Sequence, residues 1–348
     1  MPPVVAFKVL EIEDQLFWNQ GGQMQNKIMV ALSLAIISLF SSQVNAQGAW
    51  PERAVKIVVP YPAGPGPADT IARIVGEQLY RQLSQPFIVD NRAGASGNIS
   101  TDFVVKSPAD GYTLLLGAIG PIVINPAIFK GLNFDPLKDL RPVSYVGAEG
   151  YVLVANPSVG AASVKELVAM IKERPNRFSF ASSGVGSGTH VAAELFQHAA
   201  GVKLLHVPYK GGTPGLNDVV SGQVSLTFTT VPMAANFMRT GKLQALAITG
   251  SKRAAILPDT PTMAEAGYPE AVFNGWYGFF VPARTPKKIV ERIHAQIDLA
   301  LSEPEVRKKI EDLSIQIQGK TDHEFSDFVR FETERLGRTI RAANISVD

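Results

Sequence analysis

Two loops in this sequence combine residue types that can hold an anion. The first is Pro60-Tyr61-Pro62-Ala63-Gly64-Pro65-Gly66-Pro67-Ala68-Asp69, set between an apolar β-branched run and a helical pattern. Glycine lets backbone approach a ligand, and a helix start presents free N–H groups with a partial positive charge. Tyr61, Ala63, Gly64, Gly66, Ala68 and Asp69 are its candidate binding residues. A rigid turn would have the same composition, because Pro and Gly gather in turns for steric reasons alone. The second loop, Ser182-Ser183-Gly184-Val185-Gly186-Ser187-Gly188-Thr189-His190, again leads from an apolar run into a helix. It supplies hydroxyls and backbone N–H groups and no carboxylate that would repel an anion. Its candidates are Ser182, Ser183, Gly186, Ser187, Thr189 and His190. Ala118 and Ile119, after a further apolar run, and Thr229 and Thr230, after Phe228, join these by strand position. Those two pairs also read as ordinary strand ends.

Patterns for catalysis fare poorly. There is no Gly-x-Ser-x-Gly elbow and no Walker A, and Gly184 and Gly186 are followed by Thr189 where a dinucleotide fingerprint needs a third glycine. His190, His198, His206, His294 and His323 show no His-Glu-x-x-His spacing. His190 and His198 lie on one helix without evident carboxylate partners, so capping or surface roles are favoured over metal ligation. Lys210, beside Tyr209, could ligate an anion, but a structural reading is favoured because lysine heads usually seek water. The chain has no cysteine, which excludes thiolate catalysis, disulfides and cysteine metal sites. No catalytic residue, metal or cofactor is expected.

The elements that must position these loops alternate. Val55-Lys56-Ile57-Val58-Val59 reads as a buried strand, and Ile71, Ile74, Val75, Gln78 and Leu79 form a helical stripe. Residues 87–89 and 113–116 are strand-like, with a helix over 99–105 between them. A second series starts at 151–155. Ser163 and Glu166 make a capping box for a helix to Lys172, ended by Pro175. Strands at 178–181, 204–207, 226–228 and 243–248 follow, with helices after Gly188 and Gly211 and a long strand at 274–281. The alternation predicts parallel strands with crossover helices. Near the C-terminus Thr285-Pro286 reads as a cap for a helix to Leu301, a helix covers 305–313, and Thr321 with Glu324 caps a helix to Ala342. These helices form a third domain or, more economically, pack back on the first lobe. The second choice makes the chain cross between two lobes twice: 47–148 with 273–348, and 149–272.

Length suits roughly two domains of ordinary size. The chain has 348 residues, 46% hydrophobic and 18% charged, with a formal net charge of +2, so it can bury a large core and lacks the basic stripe that nucleic acid requires. Lys27 precedes an apolar run at 28–40 that ends in Val44-Asn45-Ala46, the pattern of a secretory signal cleaved after Ala46. That run is too short to span a membrane, which takes about 20 apolar residues. Glu11, Glu13 and Asp14 do not suit a signal's basic start, so Met24 reads as the initiator and the preceding residues as an upstream extension.

The order of short motifs resembles the Bug-type substrate-binding receptors of tripartite tricarboxylate transporters over essentially the whole mature chain. The likeness rests on Val59-Pro60-Tyr61-Pro62-Ala63-Gly64, Ala68-Asp69-Thr70-Ile71-Ala72-Arg73, Asp90-Asn91-Arg92-Ala93-Gly94-Ala95-Ser96-Gly97-Asn98-Ile99 and Asp110-Gly111-Tyr112-Thr113-Leu114-Leu115. It continues in Asn125-Pro126-Ala127, His206-Val207-Pro208-Tyr209-Lys210-Gly211, Pro258-Asp259-Thr260-Pro261-Thr262 and Gly275-Trp276 through Pro282. The resemblance implies a periplasmic α/β protein of two lobes, a type II-like Venus flytrap. It would close on a small carboxylate, di- and aromatic carboxylates among the candidates, through backbone N–H groups and bridging waters, and deliver it to membrane transporter subunits.

Two departures stand out. The first loop is one residue longer than the family pattern, as though Pro65 were inserted, and Pro65 and Pro67 bring no N–H donors. Thr229 stands where many relatives carry an aspartate able to receive a ligand amine, so amino-acid ligands are expected to be disfavoured. Two other functions share the scaffold: a sensor presenting its closed form to a membrane kinase, and a hydrolase-like enzyme using Ser182, Ser183 or Ser187 with His190.

Overall fold

Strand β4 (Leu140–Ala155) organises the molecule, because its two halves belong to different parts of one ten-stranded sheet. The computed structural model describes residues 50–64 and 66–342; the expected leader over 1–46 and Pro65 lie outside the described residues. In the first half of the sheet, β1 (Val55–Val59) lies between β2 (Phe87–Asn91) and β3 (Thr113–Ala118), all parallel. Strand β9 (Asn274–Pro282) then runs antiparallel to both β3 and residues 140–150 of β4. In the second half, β5 (Ser179–Ser182) lies between β6 (Leu205–Pro208) and β7 (Leu226–Thr230), again parallel. Residues 151–155 of β4 run antiparallel to β7 on one side and to β8 (Gln244–Ile248) on the other. A short β10 (Gln316–Ile317) pairs with β4 at Gly147 and Ala148.

The fold is therefore a two-lobed α/β architecture in which the chain crosses twice, once along β4 and once into β9. The β-branched runs become strands because both faces are covered: Val55, Ile57, Val58 and Val59 are all fully buried. The crossovers are α1 (Pro67–Leu83), α2 (Asn98–Val105), α3 (Val164–Glu173), α4 (Gly188–Ala200), α5 (Gly212–Val220) and α6 (Val231–Arg239). The C-terminal helices α7 (Lys287–Ser302), α8 (Pro304–Glu311) and α9 (Asp322–Ala342) pack on the first lobe: α7 and α8 against α1, α9 against β4.

At the crossing, Thr249 is fully buried and ties the strands together. Its hydroxyl accepts the Tyr151 N–H at 2.8 Å, its N–H donates to the Tyr151 carbonyl, and its carbonyl accepts the Phe273 N–H. Trp276 packs beside this joint with Tyr145, Phe280, Phe325 and Phe328.

Several local expectations change. The strand expected at 151–155 begins eleven residues earlier, at Leu140, and a helix follows β7 where none was expected. Thr285 is not a cap: its hydroxyl donates to the Pro282 carbonyl, and Pro286 occupies the N-cap position of α7. The capping boxes at Ser163 and Thr321 are present, each with the N–H of the glutamate three residues on bonded to the hydroxyl.

Candidate functional site

A cavity of about 310 Å³ lies between the lobes, in the size range of small-molecule sites. Of the expected residues, Tyr61, Ala63, Gly64, Gly66, Ala68 and Asp69 line it from the first loop, Ser183 and Thr189 from the second, and Thr229 and Thr230 from the end of β7. Its wall also contains Lys210, which the sequence offered as an anion ligand but favoured as structural, and Tyr151, Gly211, Thr213, Met233 and Tyr277, which motif reading did not place in a site.

The first loop is held by Asp69 rather than by its own stiffness. The Asp69 carboxylate is buried and accepts from Arg73 Nε at 2.9 Å, from Asn91 Nδ2 at 2.8 Å and from the Gly64 N–H at 3.3 Å. Burial works to raise its pKa, but these donors outweigh it and hold the carboxyl below its ordinary range. Asn91 also donates to the Tyr61 carbonyl at 3.0 Å, fixing the loop from below. Asp69 thus braces the backbone around the cavity, and its charge is answered by Arg73.

Three helix starts converge on the cavity without a side-chain cap: α1 after Gly66, α5 after Gly211 and α6 after Thr230. An uncapped first turn leaves N–H groups for a ligand, and the helix dipole favours negative charge there. Pro67, Pro214 and Pro232 each remove one donor from these turns and leave the rest. The Thr230 hydroxyl is buried and has no hydrogen-bond partner among the described residues. Lys210 is exposed at the rim of this wall and forms no ion pair among the described residues. The site thus offers positive potential and unspent donors, the arrangement an organic anion requires.

The second loop is more self-contained. Ser187 caps α4 by accepting the His190 N–H, and Thr189 bonds both Ser183 and Ser187. Ser182, Gly186, Ser187 and His190 lie behind the wall, as do Ala118, at the buried end of β3, and Ile119 in the core. His190 is neither a cap nor a surface residue. It is buried, stacks on His206 at 4.3 Å, accepts the Gly186 N–H, and has a carboxylate neighbour after all in Glu194 at 3.6 Å. Burial pushes His190 down to about 3 and His206 down to about 4, so both rings are neutral near pH 7.

The hydrolase-like pairing also rearranges. Ser182 Oγ meets His206 Nε2 at 2.6 Å, not His190, and no carboxylate contact to His206 occurs among the described residues. The five histidines form no metal-binding cluster among the described residues. Across the gap, the Ser96 hydroxyl donates to the Val185 carbonyl, joining the first lobe to the second loop.

Residues 71–345 match the model of the tripartite tricarboxylate transporter family receptor. A curated relative, Protein BugT of Bordetella pertussis, is 39% identical over 275 residues, covering 77% of this chain and 84% of its own. Among solved structures, a Rhodopseudomonas palustris protein with adipate, Rpa4515, is 32% identical at a TM-score of 0.82, covering 86% of this chain and all of its own. MatC from the same organism, with bound malate, is 30% identical at a TM-score of 0.79, covering 84% of this chain and 100% of its own.

Asp69→Ala is expected to leave the Asn91 amide and the Gly64 N–H without their acceptor. Urea denaturation should then show a loss of about 1–3 kcal/mol, the cost of stranded buried donors. Hydrogen exchange at Gly64 should accelerate. An unchanged Gly64 amide would contradict the bracing role.

Proposed function

We propose that this chain, which belongs to the tripartite tricarboxylate transporter receptor family, captures a small organic carboxylate in the inter-lobe cavity and presents it to membrane subunits of a transporter. The observation that carries this reading is the convergence on one cavity of three uncapped helix starts, Lys210 and the Thr230 hydroxyl, which has no partner among the described residues. The adipate and malate held by the two similar structures point to dicarboxylates as the first class to try.

The cavity offers little to an ammonium group. Thr229 has no charge, and Asp69 is already paired with Arg73. Unsubstituted, hydroxylated or aromatic acids are therefore favoured over amino acids. The lobes are taken as 47–148 with 273–348, and 149–272; the change of strand partners on β4 between Gly150 and Tyr151 supports that division. The protein is read as periplasmic, its leader removed after Ala46 on the strength of the apolar run and small-residue end.

A thermal-shift screen against malate, succinate, adipate, citrate, benzoate and aspartate tests the assignment. A true ligand at about a hundred times its Kd adds ~2.7 kcal/mol of stability. Lys210→Gln should weaken the tightest acid about tenfold or more, the value of a charge-assisted hydrogen bond. Silence across the acids, or aspartate bound more tightly than succinate, would contradict the reading. Intact mass of the exported protein should correspond to a chain starting at Gln47; a retained leader would refute the cleavage site.

A further inference from the structure

One buried carboxylate beside the cavity lies outside the set of groups that line it. Glu149 sits on β4 at the crossing between lobes, one residue before Gly150, and is 2% exposed. The Tyr277 hydroxyl donates to its Oε1 at 2.6 Å. Its Oε2 is buried with no hydrogen-bond partner among the described residues. Three phenols face it from three elements: Tyr151 from β4, Tyr61 from the first loop and Tyr277 from β9. All three line the cavity, so Glu149 lies directly behind its tyrosine wall.

Burial pushes the Glu149 carboxyl up to about 8, against the opposing pull of the Tyr277 hydrogen bond. Burial first, and then the nearness of Glu149, hold Tyr151 and Tyr277 protonated well above the ordinary phenol range. Of the charged groups on neighbouring elements, Asp69 pairs with Arg73 and, on α9, Glu332 with Arg335, while Lys210 at the cavity rim forms no ion pair among the described residues.

We propose that Glu149 is a positioning residue of the cleft, acting through Tyr277 to couple the capture of an anionic ligand to the uptake of one proton. The proposal rests on the carboxylate-binding function given above. As an anion, Glu149 occupies the Tyr277 hydrogen and places a second negative charge behind the incoming ligand, from a buried position where solvent screens it weakly. As a neutral acid, it can reverse the bond. Its own O–H then donates to the Tyr277 oxygen, and the phenol hydrogen is released toward the cavity to donate to the ligand. The proton comes from solvent on capture and returns to solvent on release. A neutral Glu149 also offers no counter-charge to a ligand amine, in keeping with the preference for acids without one.

Two measurements on the purified protein and its Glu149→Gln variant test this. The first needs no ligand. A carboxyl with a raised folded-state pKa contributes stability that is whole below about 4.5 and is lost as pH rises to about 8. The melting temperature of the wild type should therefore fall relative to Glu149→Gln across that window and level off above it. Tyr277→Phe, which removes the donor that favours the anion, should move the upper end of the window to higher pH. The second measurement is calorimetric titration with adipate from pH 6 to 10. The wild-type Kd should rise toward tenfold per pH unit above the carboxyl's midpoint, while that of Glu149→Gln stays flat. Parallel melting profiles, or equal pH slopes of adipate affinity, would overturn the proposal. Absence of adipate binding at every pH would count against the functional reading instead. The melting profiles would then decide on Glu149 alone.

Discussion

The rest of the structure depends on one strand serving both halves of the sheet. Residues 140–150 of β4 bond to β9, and residues 151–155 bond to β7 and β8, so the chain cannot leave one lobe without entering the other. A loop could have joined the lobes, but it would not have fixed what faces the gap. A strand sends alternate side chains to opposite faces, so the register across the joint decides which groups meet the cavity. Tyr151 reaches it from β4 and Tyr277 from β9, while Glu149 lies buried behind them. Glycines make room for this packing. A methyl group at either Gly188 or Gly275 would crowd the Tyr151 phenol.

Around that joint the site is built mainly from backbone. A guanidinium clamp would bind a carboxylate with strength and fixed geometry, whereas helix starts offer dispersed donors of about 0.3–1 kcal/mol each. Dispersed donors tolerate ligands of different shape, provided water can fill the remaining gaps. Lys210 adds one mobile charge at the rim. Asp69 shows the complementary device: a carboxylate sits on the wall of an anion site without repelling the anion, because Arg73, Asn91 and the Gly64 N–H hold it.

What the sequence disclosed follows the range of each interaction. Short β-branched runs marked the parallel strands, and capping boxes at Ser163 and Thr321 marked helix starts, because those signals lie within a few residues. The first half of β4 was hidden because Arg141, Pro142, Gly147 and Gly150 break its apolar alternation, and pairing with β9 overrides that weak local pattern. Helix α6 was hidden behind Val231-Pro232, which reads as a turn until β7 places it at a helix start. The loop at residues 60–69 was visible as a glycine-rich turn before a helix, but its bracing by Asn91 was not. Lys210 read more readily as structural than as an anion ligand, since only the folded chain brings it to the cavity with Tyr61. Glu149 and Tyr277 are 128 residues apart, and no local signal connects them.

An organic anion held between the lobes would sit on the uncapped starts of α1, α5 and α6. A crystal structure of the protein with the tightest acid from the screen tests it most directly. Carboxylate density is expected within hydrogen-bonding distance of first-turn N–H groups, with the Thr230 hydroxyl and Lys210 close by. Ligand density outside the cavity, or held only by side chains away from these helix starts, would contradict it.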